Sequence, residues 1–126
     1  MTAATAKLKN YRQSPRKVRL IADLVRGKTA EHALALLNVL PKRGSEPMKK
    51  LIESAVANAK LPANEVYISE IQVNGGVVFK RHMPRARGRA AAIRKKSSIV
   101  TLSLDQRPVS NKKNGQAKVK AAAETK

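Results

Sequence analysis

Lys80, Arg81, Arg85, Arg87, Arg89, Arg94, Lys95 and Lys96 fall within seventeen residues that contain no acid. The chemistry open to such a set is the binding of a polyanion. The planar fork of arginine matches phosphate oxygens, and its flat face stacks on exposed bases. Between these cations sit Ala86, Gly88 and Ala90 to Ala92, whose small side chains permit close approach to a crowded surface. Pro84 and Gly88 argue against a continuous helix lying in a DNA groove. A simple solvated charge run is the blander reading. It is the weaker one, because eight like charges without counter-charge are costly to hold in an ordered loop that has no partner. A second, less specific cluster is Arg16, Lys17, Arg19, Arg26 and Lys28.

Catalytic chemistry has no such foothold. His32 and His82 are the only histidines, and neither has a carboxylate at helical spacing to orient it. Glu53 with Ser54, or Glu65 with Glu70, makes no acid/base pair. Gly75-Gly76 lacks the surroundings of a phosphate-cradling loop. Without convergent titratable groups, an enzyme is not expected, and neither a cofactor nor a metal is called for. Zero cysteines exclude disulfides and thiolate metal sites, and fit a reducing cytosol.

Twenty-seven Lys and Arg against eight Asp and Glu give the chain a formal charge of +19. A compact body so charged repels itself, and a polyanion relieves the repulsion. No apolar run approaches the length of a membrane span, and Met1 to Asn10 lacks the apolar stretch of a secretory signal. The basic segment also lacks the Trp, Phe and Leu interleaving that seats a helix in lipid. Nucleic acid in the cytoplasm is the leading expectation.

The elements that must carry these cations can be read from periodicity. The first thirteen residues are polar and basic with weak alternation through Ala6 and Leu8, which suits a short edge strand. Ser14-Pro15 starts a helix, with a side-chain oxygen at the cap and proline in the first turn. Val18, Ile21, Ala22 and Val25 form its apolar stripe, Leu20 and Leu24 widen it, and Gly27 ends it. Arg16, Lys17, Arg19 and Arg26 then make a cationic outer face. A second helix starts at Thr29, buries Ala33, Leu36, Leu37 and Leu40, and ends at Pro41. A third, capped by Ser45, places Met48, Leu51, Ile52, Ala55, Val56 and Ala59 on one face before Pro62.

From Glu65 the period becomes two. Val66 and Ile68 alternate in one phase and Ile71 and Val73 in the other, so a bulge is expected between them. Val100, Leu102 and Leu104 mark a final half-buried strand. Gly75-Gly76 admits two topologies: a tight hairpin turn, towards which the pattern leans, or a bulge inside one long arm that reverses further out. Residues 106–126 hold six Lys or Arg, one acid and few apolar side chains, the composition of a disordered basic tail. The core, with only Tyr11, Tyr67 and Phe79 as aromatics, must be thin and aliphatic.

Three stretches carry a family resemblance. Ser14-Pro15-Arg16-Lys17-Val18-Arg19-Leu20-Ile21-Ala22-Asp23-Leu24-Val25-Arg26-Gly27-Lys28 closely resembles the first helix of the universal large-subunit ribosomal protein family numbered twenty-two. Leu51 to Ala59 resembles the family's third helix, and Met83-Pro84-Arg85-Ala86-Arg87-Gly88-Arg89-Ala90 its hairpin tip. Together they span most of residues 5–105. The resemblance implies an α+β fold of three helices packed on a small antiparallel sheet, with a long protruding β-hairpin. It places Gly75-Gly76 inside the arm and the reversal near Pro84 to Ala92. It also implies one domain over residues 1–105, binding to large-subunit ribosomal RNA, and bridging of RNA domains during assembly.

Neighbouring ribosomal proteins would be partners, with no membrane and no homo-oligomer. Pro84, Arg85, Ala86, Arg87, Gly88, Arg89 and Ala90 would form a tip lining the peptide exit tunnel, in reach of RNA and the nascent polypeptide. Lys80, Arg81, Arg94 and Lys95, with Lys96 following, would clamp the arm's flanks. The resemblance carries no role for the tail. The competing reading is a DNA-binding protein using the first two helices as a helix-turn-helix. The second of these, the would-be reader, has no Arg, Lys or Gln to offer base edges.

Overall fold

The computed structural model describes residues 2–106; the tail expectation, on residues 107–126, lies outside them. In chain order the elements are β1 (Thr2–Tyr11), α1 (Pro15–Val25), α2 (Ala30–Val39), α3 (Ser45–Ala59), β2 (Val66–Pro84), a single 3-10 turn (Ala86–Gly88) and β3 (Ala90–Gln106). The sheet is antiparallel in the order β1-β3-β2, so β3 is central and both others are edges. This is the α+β arrangement that the resemblance implies, with β1, at ten residues, longer than a short edge strand.

The core is aliphatic. Its largest fully buried side chains are Met48, Ile52, Ile68, Leu102 and Leu104. Val18, Ile21, Ala22 and Val25 of α1 pack with Ala33 and Leu37 of α2, with α3, and with one face of the sheet. Leu36 and Leu40 are only half-buried. Leu20 and Leu24 do not extend the buried stripe: they are 71% and 37% exposed, and the buried face of α1 is Val18, Ile21, Ala22 and Val25 alone.

Two caps differ from expectation. Ser14 receives the first turn of α1 through its backbone carbonyl, from the N–H groups of Lys17 and Val18, and its hydroxyl makes no cap hydrogen bond. Gly44, not Ser45, occupies the cap of α3, while the Ser45 hydroxyl donates backwards to the carbonyl of Leu40 at 3.0 Å. Thr29 does cap α2, accepting from the N–H of His32. Gly27 leaves α1 at φ +74, where a side chain would be strained. Its N–H donates to the carbonyl of Ile68, and the N–H of Ile68 donates to that of Lys28, tying the helix connection to β2.

The phase change in β2 is a register shift between Ile68 and Glu70. The extra residue lets Val66, Ile68, Ile71 and Val73 all face the core. Gly75-Gly76 is not a tight turn. β2 runs straight through it, and the register shifts between Gly75 and Val78, which pair with Ser98 and Lys96. Gly76 and Val77 thus oppose Ser97 alone. A Cβ on Gly76 would lie 2.6 Å from Ser97 Oγ, which itself donates to the carbonyl of Val77 at 2.6 Å. Local composition could not separate this bulge from a turn, since both need glycine.

Candidate nucleic-acid interface

Beyond the bulge the two strands leave the body as a ribbon. Every residue from 77 to 96 is exposed except the half-buried Ala91. Pairing continues to Pro84 opposite Ala90. The N–H of Arg85 donates to the carbonyl of Arg89 at 2.7 Å, and the turn between them holds Arg87 at φ 59 and Gly88 at φ 70. Arg85, Arg87 and Arg89 are therefore exposed on a five-residue reversal at the end of the hairpin. A non-glycine residue in this left-handed region costs on the order of 1 kcal/mol, so the Arg87 side chain is held there at a small energetic loss.

Register fixes which cations share a face. Lys80 lies across from Arg94, Arg81 from Ile93, Phe79 from Lys95 and Val78 from Lys96. Alternation puts Lys80, Arg94 and Lys96 on one side, and Arg81 and Lys95 with Phe79, Met83 and Ile93 on the other. Like charges directly opposite destabilise a strand pair, and the Lys80–Arg94 pair is of that kind. Among the described residues the two ion pairs, Arg26–Asp23 and Lys50–Glu46, both lie away from the arm.

The cations of α1 divide. Arg16 and Lys17 are exposed in its first turn. Arg19 donates from Nε and Nη2 to the carbonyl of Val73 at 3.3 and 3.1 Å. Arg26 donates from Nη2 to the carbonyl of Ile71 at 3.2 Å and pairs with Asp23 at 2.8 Å. These carbonyls face outward from an edge strand, where no neighbouring strand supplies donors. Arg19 and Arg26 thus fasten α1 along β2 as well as contributing positive charge. Lys28 is half-buried behind Gly27.

The structure adds two cations that sequence reading did not single out, Arg12 and Arg43, beside four that it did. An open cleft of about 580 Å³ lies where the arm joins the body, and Arg12, Lys17, Arg43, Arg81, Lys95 and Lys96 line it. β1 ends in a register shift with Asn10 at φ 56, after which Arg12 crosses over Phe79, its guanidinium carbon 5.4 Å from the ring centroid. Tyr11 donates to Gln13 Oε1 at 2.6 Å. A Cβ on Gly44 would fall 2.5 Å from Ile21 Cδ1 and 3.1 Å from that Gln13 oxygen, so glycine lets the loop carrying Arg43 sit close. Burial raises the Tyr11 phenol pKa above its ordinary 10.0, and the Arg43 charge pulls it partly back. No local signal joins positions 12, 43, 81 and 95. Only the sheet topology brings them together.

His32 and His82 are exposed, on α2 and on the arm. No group of three or more potential metal ligands occurs among the described residues, and no helix among them is long and apolar enough to cross a membrane. The exposed face of α2 offers Glu31, His32 and Asn38, and no cation for base reading.

Comparison with known proteins agrees with the fold. The family model described as ribosomal protein L22p/L17e matches residues 6–105. A large ribosomal subunit protein uL22 of Caldicellulosiruptor saccharolyticus is 46% identical over 108 residues, covering 82% of this chain and 88% of the relative. One from Campylobacter lari is 45% identical over 113 residues, covering 90% and 91%. Since the matched span takes in all three helices, the bulged arm and its arginine tip, the chain belongs to the ribosomal protein L22p/L17e family.

Proposed function

We propose that the chain binds large-subunit ribosomal RNA through its arm and body, joins RNA segments during assembly, and lines the peptide exit tunnel with its tip. As a family member it is a non-enzymatic structural constituent of the large ribosomal subunit. The observation that carries the finer reading is the arm: a solvent-exposed ribbon with eight cations and no acid, one pair of them directly opposed. Such a ribbon gains stability when phosphates enter between its like charges, and releases the counterions they held. With Phe79 as the arm's only aromatic, shape and phosphate contacts dominate over base reading. The tip residues Pro84 to Ala90 have no core to bury in, so they are free to contact RNA, neighbouring ribosomal proteins and the nascent chain.

The test is sucrose-gradient fractionation of a lysate from the native cell after a high-salt wash, probing for this chain. Stoichiometric retention with the large subunit, and crosslinks from Arg85, Arg87 and Arg89 to its RNA, are the expected result. Recovery with chromosomal DNA or in the soluble top fractions would overturn the reading.

A further inference from the structure

The cleft at the root of the arm is built differently from the arm itself. Towards its tip the arm carries its charges away from the body, whereas at its root six cationic residues line one concavity of about 580 Å³. That volume lies in the range of roughly 300–1,000 Å³ that encloses a compact ligand. Its cations come from four places: the β1–α1 connection, the first turn of α1, the α2–α3 loop and both strands of the arm. None of them takes part in either ion pair among the described residues. No acidic side chain lines the cleft.

Two features select the ligand further. The Arg12 guanidinium lies over the Phe79 ring, itself 38% exposed, so a flat cation on a flat apolar face stands at the cleft's edge. That is a surface on which an unpaired base stacks. The start of α1 also opens onto the cleft at Ser14, with its hydroxyl uncommitted to the cap and no acid in the first turn. A regular duplex presents a convex wall of phosphates with its bases enclosed, and would leave both the concavity and the stacked pair unused.

We infer that this cleft is a binding site for unpaired RNA, holding a bent stretch of backbone by its phosphates while one base stacks on the Arg12–Phe79 pair. The inference rests on the RNA reading above and gives Arg12, Arg43 and Phe79 roles in it. The body wall of the site is set by packing: the Tyr11–Gln13 hydrogen bond and the close approach at Gly44 fix the loops that carry Arg12 and Arg43. That wall is therefore formed before RNA arrives, and the arm supplies the other.

The experiment is fluorescence anisotropy with the full chain across a salt series, using a short labelled oligouridine and a blunt RNA duplex of equal length. Arg12→Ala with Arg43→Ala should lower the log–log salt slope for oligouridine by about 1.4, at about 0.7 per phosphate lost. Phe79→Leu should leave that slope unchanged but weaken oligouridine binding roughly 5- to 150-fold, the effect of one stacked base, with little change for duplex. Lys49→Ala with Lys50→Ala removes equal charge from α3, outside the cleft, and serves as the charge control. Arg12, Arg43, Lys50 and Phe79 are exposed and Lys49 is half-buried, and melting curves confirm that each variant folds. If the cleft pair loses no more than the control pair, or Phe79→Leu affects both RNAs alike, the cleft assignment is overturned and RNA binding by the arm survives. If the unaltered chain binds neither RNA, both readings fall together.

Discussion

Gly76 and Ser97 show how one atom sets the geometry of the arm. The Ser97 hydroxyl holds the bulge by donating to the Val77 carbonyl, and it occupies the space a Gly76 side chain would need. Gly76→Ala should therefore force that hydroxyl away and cost about 1–2 kcal/mol, the loss of a hydrogen bond plus local strain. Gly76→Ala combined with Ser97→Ala should cost less than the sum of the two single changes, because the clash and the bond involve the same atom. Thermal melts of the three variants measure this; strict additivity would show that the bulge is held by something else. Tyr11 makes a different prediction. Its folded-state pKa is raised by burial, so its contribution to stability is intact below the ordinary value of 10.0 and is lost as pH rises through the folded value. Melting temperature should fall above about pH 10, and Tyr11→Phe should fall less steeply than the unaltered chain.

At the scale of elements, the helices were legible and the arm was not, for the same physical reason. A helix packed on a sheet shows a stripe at helical period, and Val18, Ile21, Ala22 and Val25 announce one bounded by Pro15 and Gly27. The arm buries neither face, so its residues follow no hydrophobic period. Gly75-Gly76 reads equally as a turn or a bulge until the partner strand is known, and the resemblance, rather than the pattern, favoured the long arm. The cleft is more hidden still, being assembled from residues up to eighty-four positions apart in sequence. Register now yields a prediction of opposite signs. Lys80→Glu replaces a like-charge pair across from Arg94 with an attractive one, worth roughly 0.2–1 kcal/mol. Amide hydrogen exchange in the free arm should slow accordingly, by about 1.4- to fivefold, while affinity for RNA falls. If exchange is unchanged, cross-strand repulsion does not govern the order of the free arm.

The whole molecule carries a conflict that salt should expose. The buried cluster runs from Ala6 to Leu104, so residues 1–105 are proposed to fold without the tail, and removing 107–126 should leave the melting temperature nearly unchanged. What limits the free protein is then its charge: +19 on a chain of 126 residues, around a core whose largest fully buried side chains are methionine and aliphatics. Salt screens repulsion between surface charges over about 10 Å at 0.1 M, so added salt should stabilise the free fold. A gain of about 1 kcal/mol corresponds to a rise in melting temperature of roughly 4–8 °C for a domain of this size. The same salt competes with RNA for the cations. If the arm and cleft together neutralise about 6–10 phosphates, affinity should drop by about 10³–10⁵ between 50 and 200 mM. Melting curves and binding isotherms in one buffer series test both halves, since stability and affinity must move in opposite directions. A melting temperature that falls with salt would mean that attractive pairs, rather than repulsion, dominate the fold, and the charge would then need no polyanion to offset it.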